Sequence, residues 1–558
     1  MSTSTQVGSL VRPINLDLAT KLVVAIGALV VGVVATRHGL RMWSDSAVYL
    51  GTAHNLLHGH GTTSPIALTY TDAFRPDAAV AFNGALPLTT FPPLYPVMLA
   101  TIGAFGVSLM TAARVVGVAC LVAAALLVTH LTLRLTGSRV VALATALLFI
   151  LGGAIGQGVF GLPGSWIILG SSVLSEAPFL VIVLGTISVL GVLLERGERR
   201  HLWSAAVLVA LAVLCRYLGV ALVGTAVILV LTRFGWPLAT RIRRAVLIGA
   251  VGGLPTLLWL VSMRVFVGQG DPLPNKFHPL SGSDLHDGLM TVVRWFVPTS
   301  VPDAWALTIV SVAAGAIVVA GALTWWSGRS GRATTADERA ETLTAADATV
   351  RAMLVFIAVY LLAVLASHFY LARNISFDAR FLAVVRPLVY VLLATAAYRA
   401  LRRVDALAAT AGGAVAAGCV LLSAWFVAPV GTLLHNGVAL PENSSPTVAA
   451  VKHLPPRALI FTNAVETLWG VDGRSAVLMP VRWVNESDSF NPHVASDVRQ
   501  VADLLRRPNS YVVHFNEVFP GTFAPLSDLQ RVAPLEVVAT FRDGTIYRRA
   551  PGPLPSSS

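Results

Sequence analysis

The chain has 558 residues, of which 55% are apolar and only 12% are charged. A soluble fold of this length needs more polar surface, so the composition excludes an ordinary soluble protein and indicates helices in a lipid bilayer. The formal charge of +12 lies in short connections between apolar stretches, and residues 431–558 are neutral, with eleven basic and eleven acidic side chains. This distribution is typical of membrane topology and argues against a nucleic-acid-binding surface.

Apolar stretches of about 20 residues are long enough to cross the hydrocarbon layer as helices. The chain contains eleven predicted spans, near residues 18–36, 109–133, 140–158, 173–194, 201–232 (two), 245–267, 304–326, 351–371, 381–400 and 405–428. The first lacks a small-residue cleavage site and is predicted to stay as an anchor. Arginine clusters between spans predict a cytoplasmic N-terminus and an outer C-terminus.

Residues 201–232 are predicted to form a hairpin because basic clusters flank the stretch on both sides. A single helix of this length would measure about 48 Å at 1.5 Å per residue. It would also bury Arg216 at mid-depth, at a cost of roughly 3 kcal/mol or more. Two short helices avoid this cost and leave Arg216 and Tyr217 at the outward tip.

Three predicted outer segments collect the polar features, namely residues 38–90, 268–303 and 431–558. In the last of these, strand patterns and one helical pattern predict a small α/β domain; they cover Ala458–Thr462, Ala476–Met479, Tyr511–Phe515 and the helix Val494–Leu505. The predicted organisation is a polytopic α-helical membrane domain over 1–430, whose first outer loop 38–90 carries interfacial helices. It is followed by an extracytoplasmic α/β domain over 431–550 and a disordered tail over 551–558.

Asp45 begins the run Asp45–Gly61, which has apolar residues on one helical face and keeps Asp45, Tyr49 and His60 available near its ends. This pattern predicts an interfacial amphipathic helix. Asp45 could serve as an acid–base group or could cap the helix, since aspartate satisfies free backbone donors at a helix start. Both interpretations stay open at this point.

Glu176 lies three residues into the span predicted near 173–194. An unpaired carboxylate inside a membrane is costly, so Glu176 is expected to bind a substrate or to pair with Arg216. Lys276 lies in a predicted outer loop. Solvation of that loop explains a lysine at this position as well as a binding role does.

Metal binding is not expected. His54, His58 and His60 come from one local segment without a carboxylate at ligand spacing. Cys120, Cys215 and Cys419 fall in apolar stretches and are expected to fill the core rather than form disulfides. The sequence contains no glycine-rich nucleotide-binding loop, which counts against a nucleotide-linked donor.

An ordered series of motifs resembles the C-type glycosyltransferase superfamily, and within it the bacterial protein-mannosyltransferase and aminoarabinose-transferase-like branch. The similarity runs from about residue 40 to 390, and the pattern around Thr462 to Met479 resembles the outer domain of many members. The motifs are Asp45-x-x-x-Tyr49, Asn55-Leu-Leu-His-Gly-His-Gly61, Phe91-Pro-Pro-Leu-Tyr-Pro96, Leu174-Ser-Glu-Ala-Pro178, Arg216-Tyr-Leu-Gly219 and Asp378-Ala-Arg-Phe-Leu382.

The resemblance implies an enzyme that takes a sugar from a polyprenyl-phosphate carrier on the outer leaflet and passes it, with inversion, to a glycan, lipid or protein acceptor. Asp45 matches the first-loop carboxylate that such enzymes use as general base. A partly desolvated carboxylate suits that role because burial raises its proton affinity. No cofactor is implied, and because Ser46 replaces the second acid of many relatives, a metal-bridged pair is disfavoured.

The resemblance also assigns binding roles. The acceptor or sugar side would involve Glu176, Tyr49, His60, Tyr95 and Arg216. The donor phosphate would contact Arg380, Arg386 and Lys276, since guanidinium groups bind phosphate in a bidentate manner. For the two arginines, snorkelling to lipid headgroups is the structural alternative.

Two other functions compete with glycosyl transfer. A transporter or lipid flippase would use Glu176 and Arg216 to line a pathway, since intramembrane ionisable groups mark such routes. A non-catalytic envelope scaffold would use the tail to bind partners, while its acids only cap helices. Neither function accounts for the outer-loop acid, the Pro-Pro turn, the intramembrane glutamate, the outer arginines and the one-sided tail together.

Overall fold

The protein is described by a computed structural model that covers residues 16–66, 76, 80, 85–88, 91–153, 165–267, 277–313, 345–370, 379–436, 445–484, 489–516 and 521–551. The helices before the tail are α1 (Leu16–Ala35), α2 (Ser44–Leu57), α3 (Leu94–Gly103), α4 (Leu109–Thr136), α5 (Arg139–Leu151), α6 (Trp166–Gly170), α7 (Glu176–Arg196), α8 (Arg199–Cys215), α9 (Val220–Leu231), α10 (Leu238–Val267), α11 (Gly282–Val293), α12 (Asp303–Ala313), α13 (Ala345–Tyr370), α14 (Ala379–Leu382), α15 (Arg386–Arg402), α16 (Asp405–Ala408), α17 (Ala411–Ala424) and α18 (Val427–Asn436). A small antiparallel pair, β1 (Thr63–Ser64) with β2 (Leu86–Pro87), follows α2.

Local sequence signals set several of these boundaries. The Ser108 hydroxyl accepts a hydrogen bond from the backbone N–H of Thr111 at 3.2 Å and so caps α4. Gly137 ends the same helix with φ 68°, a left-handed conformation that glycine adopts without a steric penalty. The span predicted near 109–133 therefore falls on α4.

Five described helices are long and apolar enough to cross a bilayer alone, and α17 with α18, which are bent by 48° relative to each other, form a sixth candidate. A multi-pass helical membrane protein is thereby confirmed as the fold class. The predicted number of eleven spans stays a prediction, as do the orientation of the termini and the domain boundaries. The spans predicted near 140–158 and 304–326 run partly outside the described residues.

The stretch 201–232 is divided, as the sequence predicts. Helix α8 ends at Cys215, Arg216 adopts an extended conformation, and a short 3₁₀ turn, Tyr217–Gly219, leads into α9. The turn is tight: a side-chain Cβ at Gly219 would lie 2.4 Å from the backbone carbonyl of Ala212. Arg216 therefore lies at the break between two helices rather than in the middle of one.

The tail carries a five-stranded sheet with strand order β4-β3-β7-β9-β8. Its elements are α19 (Pro446–Val451), β3 (Leu459–Thr462), α20 (Val465–Asp472), β4 (Val477–Leu478), β5 (Trp483–Val484), β6 (Ser489–Phe490), α21 (Val494–Leu504), β7 (Ser510–Phe515), α22 (Leu526–Val532), β8 (Leu535–Thr540) and β9 (Gly544–Arg549). Strands β4, β3 and β7 are parallel, and β9 and β8 continue the sheet in antiparallel fashion. The three predicted strands and the predicted helix lie on β3, β4, β7 and α21, whereas β8 and β9 were not predicted.

Helix α2 forms where the sequence predicts a helix, but it does not lie as an exposed amphipathic helix. Every residue from Ser46 to Ala53 is buried. The reason is that α20 of the tail covers one side of α2 while α3 packs on another, so that α2, α3 and the tail share one apolar core. The ring of Trp469 from α20 lies 5.7 Å from that of His54.

Candidate active site

Asp45 lies in the first turn of α2, which begins directly after Trp43. Carboxylates in this position are favoured by the free backbone N–H groups of the helix N-terminus. One carboxylate oxygen of Asp45 accepts a hydrogen bond from Nη2 of Arg380 at 2.5 Å. The Asp45 side chain is half-buried, so it stays reachable from outside the protein.

Glu176 is the first residue of α7 and is fully buried. Its oxygen Oε1 contacts two arginines, Nη1 of Arg216 at 2.7 Å and Nε of Arg380. The other oxygen, Oε2, has no hydrogen-bond partner within the described part of the chain. The pairing expected for Glu176 with Arg216 is therefore present, and a second arginine joins it.

Arg380 connects the two acids, since its guanidinium reaches Asp45 and Glu176 at once. We refer to Asp45, Glu176, Arg216 and Arg380 as the four-charge cluster. Its two negative and two positive groups offset one another, which limits the free-energy cost of burying them. The charge of the carboxylates and the burial of Arg380, acting in opposite directions, leave the pKa of this arginine well above its usual range.

A chain of hydroxyl groups extends the four-charge cluster. Arg216 Nη1 donates to the hydroxyl of Ser175 at 3.1 Å, and the same hydroxyl lies 3.1 Å from the phenol oxygen of Tyr49. Burial, followed by the negative charge of Asp45, raises the pKa of Tyr49 above its ordinary range, so the phenol stays protonated. The ring of Tyr95 packs edge-on against Tyr49 at a centroid distance of 5.0 Å.

The structure brings some predicted residues together and leaves others apart. Asp45, Tyr49, Glu176, Arg216 and Arg380 contact one another directly or through Ser175, and Tyr95 lies behind them. His60 is exposed beyond Leu57, at the end of α2 opposite to Asp45.

Two of the residues predicted to bind phosphate are not part of the cluster in the described structure. Arg386 is fully buried at the start of α15, with its guanidinium carbon 6.0 Å from the ring centre of Tyr390. Lys276 lies outside the described residues.

The histidines of α2 form a local group. His58 Nδ1 lies 2.8 Å from the backbone oxygen of His54, and the two rings are 4.0 Å apart. Burial and then the neighbouring His58 and His60 lower the pKa of His54. No group of three side chains suited to a metal occurs among the described residues. The three cysteines are free, and the Cys215 sulfur lies 3.6 Å from the Ser175 carbonyl oxygen.

Sequence reasoning missed Ser175 and Phe381. Ser175 stands inside a motif that was recognised only for its glutamate, Leu174-Ser-Glu-Ala-Pro178. Phe381 follows Arg380, and its ring lies 5.9 Å from the guanidinium carbon of Arg216. The position of Ser175 directly before Glu176 was a usable signal, because a serine at a helix start is a common hydrogen-bonding residue.

An apolar groove of about 730 Å³ lies among helices on the side of Leu382. Helices α11 and α13 and the segment from Leu382 to Val389 form its walls. Its lining residues include Leu285, Leu289, Val292, Trp295, Ala358 and Leu361. The groove reaches Leu382, two residues beyond Arg380, so it brings an apolar surface close to a charged one.

The fold is similar to that of solved C-type glycosyltransferases, in line with the sequence resemblance. ArnT from Cupriavidus metallidurans bound to undecaprenyl phosphate matches with a TM-score of 0.51 and 13% identity, over 96% of this chain and 98% of that one. The apo state of that ArnT gives a TM-score of 0.50 and 16% identity, over 95% and 97% of the two chains. At these identities the similarity establishes the fold alone.

A third solved structure, the oligosaccharyltransferase AglB from Archaeoglobus fulgidus with an inhibitory peptide and a dolichol-phosphate, scores lower. Its TM-score is 0.48 at 14% identity, over 97% of this chain and 75% of that one. No family model and no curated protein matches the chain at the sequence level.

Proposed function

We propose that the protein is a membrane glycosyltransferase that moves a hexose or pentose from a polyprenyl-phosphate donor to an acceptor at the outer face of the membrane, with Asp45 as general base. The observation that carries this proposal is the half-buried carboxylate of Asp45, held against Arg380, together with an apolar groove that reaches Leu382, two residues beyond Arg380. A donor with a charged head and a long apolar tail needs these two surfaces side by side.

Asp45 is the better base of the two carboxylates. It is the more accessible, and it pairs with one arginine, whereas Glu176 pairs with two. In the proposed step, an acceptor hydroxyl oxygen forms a bond to the anomeric carbon as the bond from that carbon to the phosphate oxygen breaks. The hydroxyl proton passes to Asp45, and the polyprenyl phosphate leaves with the electron pair. Attack from the side opposite the phosphate inverts the anomeric configuration.

Arg380 is suited to bind the donor phosphate. A guanidinium has five N–H donors in a planar arrangement, and so can hold a phosphate oxygen while it contacts a carboxylate. Its positive charge would stabilise the negative charge that develops on the leaving phosphate. Because Arg380 contacts both Asp45 and Glu176, a donor phosphate bound by Arg380 would bring the anomeric carbon close to the site where Asp45 can accept the acceptor proton.

The apolar groove is suited to the first part of the prenyl chain. Its lining is almost entirely aliphatic, apart from Asp284 and Trp295. The prenyl chain lies in the bilayer before it binds, so the groove would hold its first isoprene units by close packing rather than by transfer from water. ArnT, the structural neighbour, is described in complex with undecaprenyl phosphate, a molecule of this class.

Glu176, Arg216 and Tyr49 are proposed to define the sugar or acceptor side of the site. The hydroxyl chain from Arg216 through Ser175 to Tyr49 presents polar groups beside Asp45. Hydroxyl and guanidinium groups of this kind bind sugar hydroxyls. The acceptor is proposed to be a cell-envelope glycan, lipid or protein.

The test uses purified full-length protein in lipid nanodiscs and a panel of radiolabelled undecaprenyl-phosphate sugars. Transfer of label to a membrane acceptor fraction is expected for the wild type and is expected to be lost in Asp45→Asn. Asp405→Asn is the matched control, since Asp405 also lies in the first turn of a helix but away from the cluster. Equal transfer by Asp45→Asn and the wild type would contradict the proposed base. Movement of the labelled donor across the bilayer without transfer of its sugar would favour a flippase.

A further inference from the structure

We propose that Ser46 is a positioning residue, which holds Asp45 in register with Glu176. This inference rests on the proposed function, because it concerns the geometry of the same site. Ser46 has no place in the chemistry itself, because its side chain is fully buried and its hydroxyl is bonded to two backbone groups. Its role would be exerted through Asp45, its neighbour in the chain.

The hydroxyl of Ser46 makes two hydrogen bonds that join separate segments. It accepts from the backbone N–H of Trp43 at 2.9 Å. It donates to the backbone carbonyl of Val173 at 2.8 Å, across 127 positions of the sequence. A hydroxyl provides one donor and acceptor lone pairs, so one side chain can serve both partners.

A backbone bridge ties the same two segments together a few residues earlier. Arg41 and Ser172 pair in parallel: the N–H of Arg41 donates to Ser171 at 3.1 Å, and the N–H of Val173 donates to Arg41 at 3.2 Å. Asp45 comes four residues after Arg41, and Glu176 comes four residues after Ser172. Asp45 and Glu176 therefore each lie four residues beyond the backbone bridge between Arg41 and Ser172.

The hydrogen bond from Ser46 to Val173 keeps the same alignment of the two segments at the start of α2. Beyond Val173 the two segments separate into helices, and backbone pairing between them ends. Ser46 and Tyr49 lie on one face of α2, three positions apart. Both reach the segment before α7, Ser46 through Val173 and Tyr49 through Ser175. Because Tyr49 is itself a proposed substrate contact, Ser46 is the residue on which positioning can be tested separately.

The structure also offers a matched control on the same helix. Thr52 is as fully buried as Ser46, but its hydroxyl makes no hydrogen bond among the described residues. Thr52→Val removes a buried hydroxyl and keeps the shape of the side chain. Ser46→Ala removes a buried hydroxyl that has two partners. A difference between the two variants would report the hydrogen bonds rather than the loss of a polar group.

The experiment measures kcat, and KM for the donor, with the undecaprenyl-phosphate sugar that the wild type uses. Ser46→Ala is expected to lower kcat by about 10- to 100-fold, since a displacement of about 1 Å can cost 10²-fold. KM is expected to change less than threefold, because the residues proposed to bind the donor are unaltered. Thr52→Val is expected to stay within about twofold of the wild type, and Ser46→Thr, which keeps the hydroxyl, to recover part of the loss.

A second measurement does not depend on catalysis. Hydrogen–deuterium exchange of the peptide that contains Trp43 is expected to become faster in Ser46→Ala and to stay unchanged in Thr52→Val. An active wild type with kcat unchanged in Ser46→Ala, or lowered equally in Thr52→Val, would overturn the positioning role and leave the proposed function standing. A wild type that transfers no sugar would overturn both.

Discussion

Asp45 and Glu176 share Arg380 but differ in surroundings. The Glu176 side chain is 1% exposed and pairs with two arginines, whereas that of Asp45 is 18% exposed and pairs with one. A buried carboxylate between two guanidiniums holds its neighbours in place and cannot exchange a proton readily with a substrate. A half-buried carboxylate at a helix start can do so. The position of each acid within one ion-pair network thus favours Asp45 over Glu176 as the proposed base.

The largest effect on activity is expected for Asp45→Asn. Loss of a general base lowers a rate by typically 10²- to 10⁴-fold, so transfer should fall by about this factor. The melting temperature should change little, because asparagine keeps the shape and Arg380 keeps Glu176 as a partner. Transfer assays and thermal unfolding in the same nanodiscs would measure both quantities. A large loss of stability would make Asp45 a structural residue like Glu176.

Glu176→Gln is expected to show the opposite pattern. Removal of its charge leaves Arg216 without its carboxylate partner and Arg380 with only Asp45. Breaking a buried pair on one side typically costs about 3–5 kcal/mol. A strong decrease in melting temperature should therefore accompany any loss of transfer. Normal stability with lost transfer would instead make Glu176 a direct participant in the reaction.

The two arginines offer a finer comparison. Arg380→Lys keeps the charge, but a lysine is a compact point charge that cannot hold two carboxylates in a planar arrangement. It should raise KM for the donor about tenfold or more, since a hydrogen bond to a charged group contributes about 1.5–3 kcal/mol. Arg216→Lys should affect stability more than donor KM, because Arg216 contacts Glu176 and Ser175. Equal changes in donor KM for both variants would contradict the proposal that Arg380, rather than Arg216, binds the donor phosphate.

The apolar groove can be tested by chain length. Ala358→Trp places a large ring in the groove and should raise KM several-fold for an undecaprenyl donor, and less for a donor with two isoprene units. Leu354→Trp is the control, since Leu354 is exposed on the same helix but does not line the groove. The same change in KM for both chain lengths would contradict a prenyl site there.

The smallest effect is expected far from the cluster, at Asp543. Burial by itself would raise the pKa of Asp543, but hydrogen bonds from Ser445 and Thr447 outweigh it and keep the pKa below its ordinary value. The folded pKa is thus lower than the unfolded one. The stabilisation is therefore present above the unfolded pKa and is lost as pH falls through the folded pKa.

Asp543→Asn should remove this acid sensitivity at a cost of about 1 kcal/mol, the contribution of a typical hydrogen bond. Unfolding of the tail, followed by the fluorescence of Trp469 from about pH 6 to about pH 3, would measure it. An unchanged pH profile in the variant would show that another group controls the acid transition.

Local patterns predicted much of the secondary structure. The break at Arg216 and the strands predicted at Ala458–Thr462 and Tyr511–Phe515 all follow from residues close in sequence. Strands β8 and β9 were missed because their alternation is irregular: β8 is largely exposed, and a register shift interrupts its pairing.

Long-range contacts were beyond local patterns. Arg380 pairs with Asp45 across 335 positions and with Glu176 across 204. The sequence identified all three as polar residues near predicted outer ends of helices, but it assigned Arg380 to phosphate only through the family resemblance. It also left the cover of α2 unseen, since no local signal shows that Trp469 and the rest of α20 pack on this helix.

By itself, the sequence determined that this protein is a multi-pass helical membrane protein. The length of each apolar stretch and the charges beside it decide whether that stretch crosses the bilayer, and both are properties of residues close in sequence. It also identified the acids and arginines that are candidate site residues, because ionisable groups in apolar spans are rare and costly to bury. Only the tertiary structure decided that Ser46 joins the start of α2 to Val173 and that one arginine serves both acids. These contacts depend on the packing of helices distant in sequence, which local propensity does not encode.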